Sequence, residues 1–329
     1  MRNFPPRRDG PIPARPLRAR PVAPRAAEPR AVESQARAKH PAAPRPAALR
    51  AEAPRPAAPR SEADRPVPAV REIPVCGLAA VKALFARRPE AIKRFFFDLP
   101  TGRRVGEISA WLAAQRRVYR QVLPEELEKI AGTIHHGGVV AIIEQEPLRA
   151  PTGEDLRGWA KTGKPVVMLD RVGNAHNLGA IVRTLAFFGV EHLVVGADER
   201  SARPGESTFR VAEGGMEHVT VWTSPDLAPL CRELRAAGFS IVGTDVRGPI
   251  LRSLRPHEFL PKPGTKSAVP RREGRPPVAL LLGNEEAGLA PAVAQACDRV
   301  VRIPGTGKIE SLNVSAAAAV LVAALTVER

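Results

Sequence analysis

The sequence predicts an α/β protein in which two successive α/β regions follow a tail of different composition. Apolar runs of strand length alternate with helical segments from Ile73 to the C-terminus. The runs after Val166 are almost continuously apolar, which is typical of parallel strands covered on both faces. Residues 1–71 contain 16 of the 35 prolines and none of this apolar pattern. The fold is therefore expected to begin near residue 72.

The tail, residues 1–71, consists mainly of Pro, Ala and Arg. It holds 16 Lys and Arg against 6 Asp and Glu, whereas the whole chain of 329 residues has a net charge of +16. Frequent proline blocks helix formation, and the few large apolar side chains cannot form a core. These features predict a disordered tail with polyproline-II character. The recurring arginines suit non-specific pairing with RNA phosphates, although a merely solvating extension would have the same composition.

Residues 72–145 predict a small α/β domain. A short apolar strand and a helix are expected within 73–85, and a second buried strand within 91–99. The segment 108–118 has the apolar period of a helix. Residues 124–143 begin with Pro-Glu-Glu, which suits a helix N-terminus, and end in an apolar strand. The turn-rich segment 146–164 is interpreted as a linker.

Residues 165–329 predict a second α/β domain built on a parallel sheet. Apolar runs predict five strands, at 166–170, 192–196, 218–222, 239–245 and 278–283. Helical segments are expected between and after them, at 178–189, 226–238 and 313–329. Ligands of such sheets bind in loops beyond the carboxyl ends of the strands, so the functional residues are expected in those loops.

Three loops of this domain carry polar and small residues. The first, 170–183, opens a helix for which Asn177 is the expected N-cap, and Arg183 lies about one and a half turns further on. The second, 282–289, places the pair Glu285-Glu286 between two glycines. The carboxylates would repel phosphate, so an electropositive or hydroxyl-bearing ligand fits better. A plain capped helix and a hydrophilic connection remain open as simpler interpretations.

The third loop, 303–315, contains Gly-Thr-Gly-Lys, but Ile309 stands where a phosphate loop needs Ser or Thr to hold magnesium. Binding of a nucleoside triphosphate is therefore excluded. Ser311 and Asn313 are expected to cap the last helix.

Composition excludes several other classes of protein. No apolar run reaches 18 residues, so no membrane helix is expected. Cys76, Cys231 and Cys297 are widely separated, which argues against a disulfide framework or a zinc site, and no metal is expected. Widely spaced cysteines suit a reducing, cytoplasmic setting, and the positive net charge favours a polyanionic partner.

Taken together, the three loops resemble the signature of the TrmH (SpoU) branch of the SPOUT RNA methyltransferases. The resemblance lies in HNLGAIVRTLAFFG (176–189), LLLGNEEAGL (280–289) and IPGTGKIESLNVSAAAAVL (303–321). It implies a deep trefoil knot over 165–329, a bound S-adenosylmethionine (AdoMet) and a homodimer. Residues 72–145 are similar to the substrate-binding domain of those enzymes, whose fold resembles RNA-binding ribosomal proteins.

The resemblance also implies roles for individual residues in methyl transfer to a ribose 2′-hydroxyl of rRNA or tRNA. Gly283, Ile303 and Leu312 match positions that contact the cofactor. The polar active-site positions of the family match Asn177, Arg183, Glu285, Ser311 and Asn313. A guanidinium is a poor base at neutral pH, so Arg183 is expected to bind the adjacent phosphate and stabilise the developing alkoxide. A non-catalytic RNA-binding or ribosome-assembly protein that retains the knot is the alternative, and base methylation is a weaker one.

Overall fold

The computed structural model describes residues 71–260 and 275–327, and they form two sheets. The first sheet has the strand order β1-β4-β2-β3 and consists of β1 (Arg71–Cys76), β2 (Ile92–Phe97), β3 (Val118–Gln121) and β4 (Val139–Gln145). Its helices are α1 (Leu78–Arg87), α2 (Leu99–Gly102), α3 (Gly106–Ala114) and α4 (Pro124–Ala131). Strand β4 is antiparallel to both of its neighbours, and β3 is parallel to β2. Helices α1 and α3 pack on one face of this sheet and α4 packs on the other.

The second sheet is parallel throughout and has the order β10-β8-β9-β5-β6-β7. Its strands are β5 (Val166–Leu169), β6 (His192–Gly196), β7 (Thr220–Ser224), β8 (Ser240–Thr244), β9 (Val278–Leu282) and β10 (Arg299–Val301). The helices of this half are α5 (Gly153–Thr162), α6 (Ala175–Phe187), α7 (Glu206–Ala212), α8 (Leu227–Ala237), α9 (Pro291–Ala296) and α10 (Val314–Thr326).

Alternate side chains of strands β5 to β9 enter two separate cores. Val167, Leu169 and Leu280 pack under α6 and α10, while Met168 and Leu281 pack under α5, α8 and α9. Every residue of β5 and β9 is therefore buried. This two-sided burial explains the unbroken apolar runs, and the predicted α/β class with a parallel sheet is confirmed.

Several predicted element bounds were wrong. The segment 146–164 is not merely turn-rich, because α5 forms within it. Thr152 and Asp155 form a capping box there, and Leu156 and Trp159 are buried in the core. The helix predicted over 108–118 ends at Ala114, because Arg116 has the left-handed φ of 55° and β3 follows. Helices α7 and α9 and the short strand β10 were not predicted.

The predicted knot and domain boundaries stay predictions. So does the disordered tail, since residues 1–70 lie outside the described part of the chain.

The two halves of residues 71–327 meet at a half-buried ion pair. The Arg88 guanidinium donates Nε to Glu217 Oε2 at 2.6 Å and Nη2 to Glu217 Oε1 at 2.9 Å. Only 3% of the Glu217 side chain is exposed. The hydrogen bonds to Glu217 raise the pKa of Arg88 above its usual value. Phe209 of α7 completes the contact by packing into the core of the first sheet.

Substitution Arg88→Ala should lower the free energy of unfolding by about 2 kcal/mol, because it leaves the buried Glu217 carboxylate without its partner. Urea denaturation followed by circular dichroism measures the change. Arg87→Ala is the matched control, since Arg87 is exposed on the preceding residue of α1. Equal losses in the two variants would show that the ion pair contributes nothing specific.

Candidate active site

A cavity of about 1000 Å³ opens at the carboxyl ends of β8, β9 and β10. Three loop segments line it, at 244–247, 282–288 and 301–314. Ala317 and Leu321 of α10 form its floor. Because the sheet is parallel, all three loops leave it at the same edge, which is where ligands of such sheets bind.

The loop after β9 is a tight backbone hairpin. Asn284 N donates to Gly288 O at 3.1 Å, and Gly288 N donates to Asn284 O at 2.9 Å. The Asn284 carboxamide oxygen also accepts from the backbone N–H groups of Glu286 and Ala287. A Cβ on Gly283 would lie 2.4 Å from the carbonyl carbon of Gly288. Glycine is therefore required at 283 for the hairpin to close.

The residues that follow β5 hold this hairpin in place. The buried Asp170 carboxylate accepts a hydrogen bond from Ala290 N at 2.5 Å. Arg171 Nη2 donates to Gly288 O at 3.0 Å, and Asn284 Nδ2 donates to Arg171 O at 3.0 Å. The cavity wall is thus fixed before any ligand binds.

A chain of hydrogen-bonded side chains joins the three sequence-predicted loops. Asn313 Nδ2 donates to Asn177 Oδ1 at 3.1 Å, and Asn177 Nδ2 donates to Glu285 Oε1 at 2.5 Å. The Asn313 carboxamide oxygen accepts from Ser315 N at 2.9 Å, so Asn313 also caps α10 as predicted. Three of the predicted polar residues therefore lie together at the edge of the cavity.

The cap predicted for α6 was wrong. The N-cap is Asn174, whose side-chain oxygen accepts from His176 N at 2.8 Å and from Asn177 N at 3.4 Å. Helix α6 therefore begins at Ala175, and Asn177 lies inside its first turn with its carboxamide free to bond across the loops. The cap predicted at Ser311 is also absent, since α10 begins after Asn313. Ser311 lines the cavity instead.

The three residues predicted to contact a cofactor, Gly283, Ile303 and Leu312, all line the cavity. Arg183 does not. It lies six residues beyond Asn177, which is about 9 Å along the axis of α6, and its Nη2 is 2.9 Å from Glu213 Oε2. Within one chain, Arg183 is therefore separate from the cavity.

Asp245 and Arg247 form an ion pair on the cavity wall that was not predicted. Arg247 Nη2 is 2.8 Å from Asp245 Oδ2. Hydrogen bonding from Arg247 lowers the pKa of Asp245, so its carboxylate stays charged at neutral pH. Asp245 lies directly after strand β8, and the other two cavity loops also follow parallel strands. This position is the signal that could have identified Asp245 from the sequence.

The cavity is lined by both polar and apolar side chains, which suits a ligand that has polar and apolar groups. Leu282, Ile303, Leu312 and Leu321 supply an apolar wall, and the carboxylate of Glu285 lies on the rim. Among residues 71–260 and 275–327, no cluster of His, Cys, Asp and Glu could hold a metal ion. Over the same ranges, no helix is long and apolar enough to cross a membrane.

Family models match both halves of the chain. Residues 164–323 match the model described as the SpoU rRNA Methylase family. Residues 74–148 match the model described as RNA 2′-O ribose methyltransferase substrate binding. The resemblance stated from the three loops is thereby confirmed.

Individual relatives agree with these matches. The chain is 31% identical over 249 residues to the 23S rRNA (guanosine-2′-O-)-methyltransferase RlmB of Bordetella pertussis, covering 75% of this chain and 93% of the relative. It is 34% identical over 253 residues to the uncharacterized tRNA/rRNA methyltransferase YfiF of Escherichia coli O157:H7, covering 76% of this chain and 66% of that protein. It spans 48% of an uncharacterized tRNA/rRNA methyltransferase of Haemophilus influenzae.

Solved structures share the fold. The crystal structure of an AdoMet-bound rRNA methyltransferase from Sinorhizobium meliloti aligns with a TM-score of 0.59 and 25% identity over 78% of this chain and 88% of that one. The SpoU methyltransferase AviRb from Streptomyces viridochromogenes aligns with a TM-score of 0.56 and 22% identity, over 78% of this chain and 90% of that one. With both family models and a relative matched over nearly its whole length, this chain belongs to the SpoU rRNA methylase family.

Proposed function

We propose that this chain is an AdoMet-dependent methyltransferase that acts on a ribose 2′-hydroxyl of rRNA or tRNA in the cytoplasm. The observation that carries the proposal is the hydrogen-bonded chain Asn313–Asn177–Glu285 at the rim of the cavity. A protein that only binds RNA has no need for three polar groups from three separate loops in mutual contact. The relative RlmB, named as a guanosine-2′-O-methyltransferase, supports the choice of ribose over base.

The cavity has the groups needed to hold AdoMet, which when bound supplies a methyl group on a positively charged sulfur. We assign the apolar part of the ligand to the wall formed by Ile303, Leu312 and Leu321. Gly283 keeps the hairpin wall close to the ligand because no side chain intervenes. The Glu285 carboxylate, held by Asn177, complements the positive charge at the rim.

Arg183 is proposed to bind the phosphate next to the target ribose and to stabilise the developing alkoxide. A guanidinium does not lose its proton at neutral pH, so the hydroxyl proton leaves to that phosphate or to water. The Asn177 side chain contacts Glu285 and Asn313. Ser311, on the cavity wall, is proposed to shape the pocket.

We further propose that the protein is a homodimer in which Arg183 reaches the cavity of the partner subunit. Within its own chain Arg183 does not line the cavity. Large apolar side chains are exposed at the end of α6 and in the cavity loop, with 82% of Phe187, 81% of Ile309 and 52% of Leu312 accessible. A second copy of the chain would bury these side chains, and removing their apolar surface from water is favourable in free energy.

The remaining assignments follow from the same proposal. Residues 72–145 would bind RNA, and residues 165–329 would form the knotted catalytic domain. The basic tail, residues 1–71, would add non-specific contacts to phosphate.

The proposal is tested by incubating the purified protein with methyl-labelled AdoMet and RNA from cells that lack the gene. Label is expected in the RNA. After alkaline hydrolysis it should remain in dinucleotides, because a 2′-O-methyl group blocks the hydroxyl that would attack the neighbouring phosphate. Asn177→Ala should lower incorporation, since it breaks both hydrogen bonds of the rim. Label in the mononucleotides that alkaline hydrolysis releases would indicate base methylation instead. RNA binding without any label would favour the non-catalytic alternative.

A further inference from the structure

The Arg183 guanidinium forms an ion pair near the surface with the carboxylate of Glu213. Arg183 Nη2 lies 2.9 Å from Glu213 Oε2, and more than half of each side chain is exposed. The contact is made through Nη2. A guanidinium has five N–H donors in a planar fork, so donors remain for a phosphate while the ion pair restricts the rotation of the side chain.

The backbone of Glu213 is in a conformation that glycine adopts more easily. Its φ and ψ are 46° and 45°, in the left-handed region, at the C-terminus of α7. The described part of the chain has a positive φ at only two other non-glycine residues, Arg116 and Arg171. A residue other than glycine at such a position costs stability, and such strain is concentrated at functional sites. Glu213 thus places a long acidic side chain at a position where glycine would be more stable.

The turn that carries Glu213 is fixed by backbone contacts on two sides. A Cβ on Gly215 would lie 3.2 Å from Arg183 Cα, so the turn packs directly on α6 beside the arginine. A Cβ on Gly214 would lie 2.7 Å from the Cβ of Ala83 in α1. These close approaches leave the turn little freedom to move. The backbone position of Glu213 is therefore set by the fold.

We propose that Glu213 is a positioning residue for Arg183. It holds one end of the guanidinium so that the other end is presented to the RNA phosphate beside the reacting ribose. The inference rests on the proposed function, because it needs Arg183 to act in methyl transfer. It adds a residue outside the three loops, in the segment between α7 and β7.

The test compares Glu213→Gly with Glu213→Gln in the full chain, using the RNA methylation assay. Glu213→Gly removes the contact and the backbone strain together, so kcat should fall about fivefold while the melting temperature does not fall. Glu213→Gln keeps an oxygen that can accept from the guanidinium, so its kcat should lie between those of Glu213→Gly and the wild type. The AdoMet dissociation constant should not change in either variant.

Glu233→Gln, on the exposed surface of α8, is the charge-matched control and should retain wild-type kcat. Arg116→Gly is the stability control, because it too replaces a left-handed residue by glycine. A wild-type protein that fails to methylate RNA overturns the proposed function. A wild-type protein that methylates RNA, together with Glu213→Gly at an equal or higher kcat, overturns the role of Glu213 alone. A lower kcat accompanied by a lower melting temperature also overturns it, since the residue would then be structural.

Discussion

Replacement of Arg183 by alanine should lower kcat for RNA methylation by about 100- to 1000-fold and leave AdoMet binding unchanged. The guanidinium is proposed to stabilise charge that develops only in the transition state, and loss of one such donor has effects of this size. The cavity is intact in the variant, because Arg183 does not line it. Single-turnover assays measure the rate, and calorimetric titration measures cofactor affinity.

Arg232→Ala is the matched control for this variant, since Arg232 is an exposed arginine on α8, on the opposite face of the sheet. It should retain full activity. If Arg183→Ala lost AdoMet affinity together with activity, the assigned role would be wrong.

Gly283→Ala should lower the affinity for AdoMet about 5- to 140-fold. The added methyl group would lie 2.4 Å from the Gly288 carbonyl carbon and 2.6 Å from Leu289 N, so the hairpin wall must shift. Strain of this kind costs about 1–3 kcal/mol. Every 1.4 kcal/mol lost from the free energy of AdoMet binding lowers the AdoMet affinity about tenfold. Calorimetric titration with AdoMet measures the loss.

Gly158→Ala is the control for Gly283→Ala, because Gly158 lies inside helix α5 with open space around its Cα. It should bind AdoMet normally and be slightly more stable, since alanine favours a helix interior. Wild-type affinity in Gly283→Ala would show that the hairpin does not form the cofactor site.

The two variants together test the proposed composite site. If Arg183 acts in the cavity of the partner subunit, an equal mixture of Arg183→Ala and Gly283→Ala subunits should recover about a quarter of wild-type activity at an AdoMet concentration that fills only the unaltered cavities. Half of the dimers are then mixed, and each of these has one complete site. If Arg183 acts in its own cavity, the mixture stays inactive.

Much of the fold could be predicted because burial leaves a direct trace in sequence. Strands β5 and β9 are buried on both faces, so every residue in them is apolar and the pattern is unambiguous. Helix α5 escaped prediction because its two buried residues, Leu156 and Trp159, are surrounded by polar and glycine residues. Strand β10 has three residues, too few to show a period.

The site was predicted less evenly than the fold. Asn177, Glu285 and Asn313 were identified through the resemblance, and the structure brings them into contact. The ion-pair partner of Arg183 could not be predicted, because Glu213 lies 30 residues away in a segment with no recognised motif. Asn177 was predicted as the N-cap of α6, but Asn174, three residues earlier, is an equally good cap by residue type. Only the backbone conformation decides between the two residues.

The turn that contains Gly214 and Gly215 touches α1 of the first sheet on one side and α6 at Arg183 on the other. The turn therefore holds α1 at a set distance from the backbone of Arg183. An RNA held by the first sheet would present its nucleotides at set distances from Arg183.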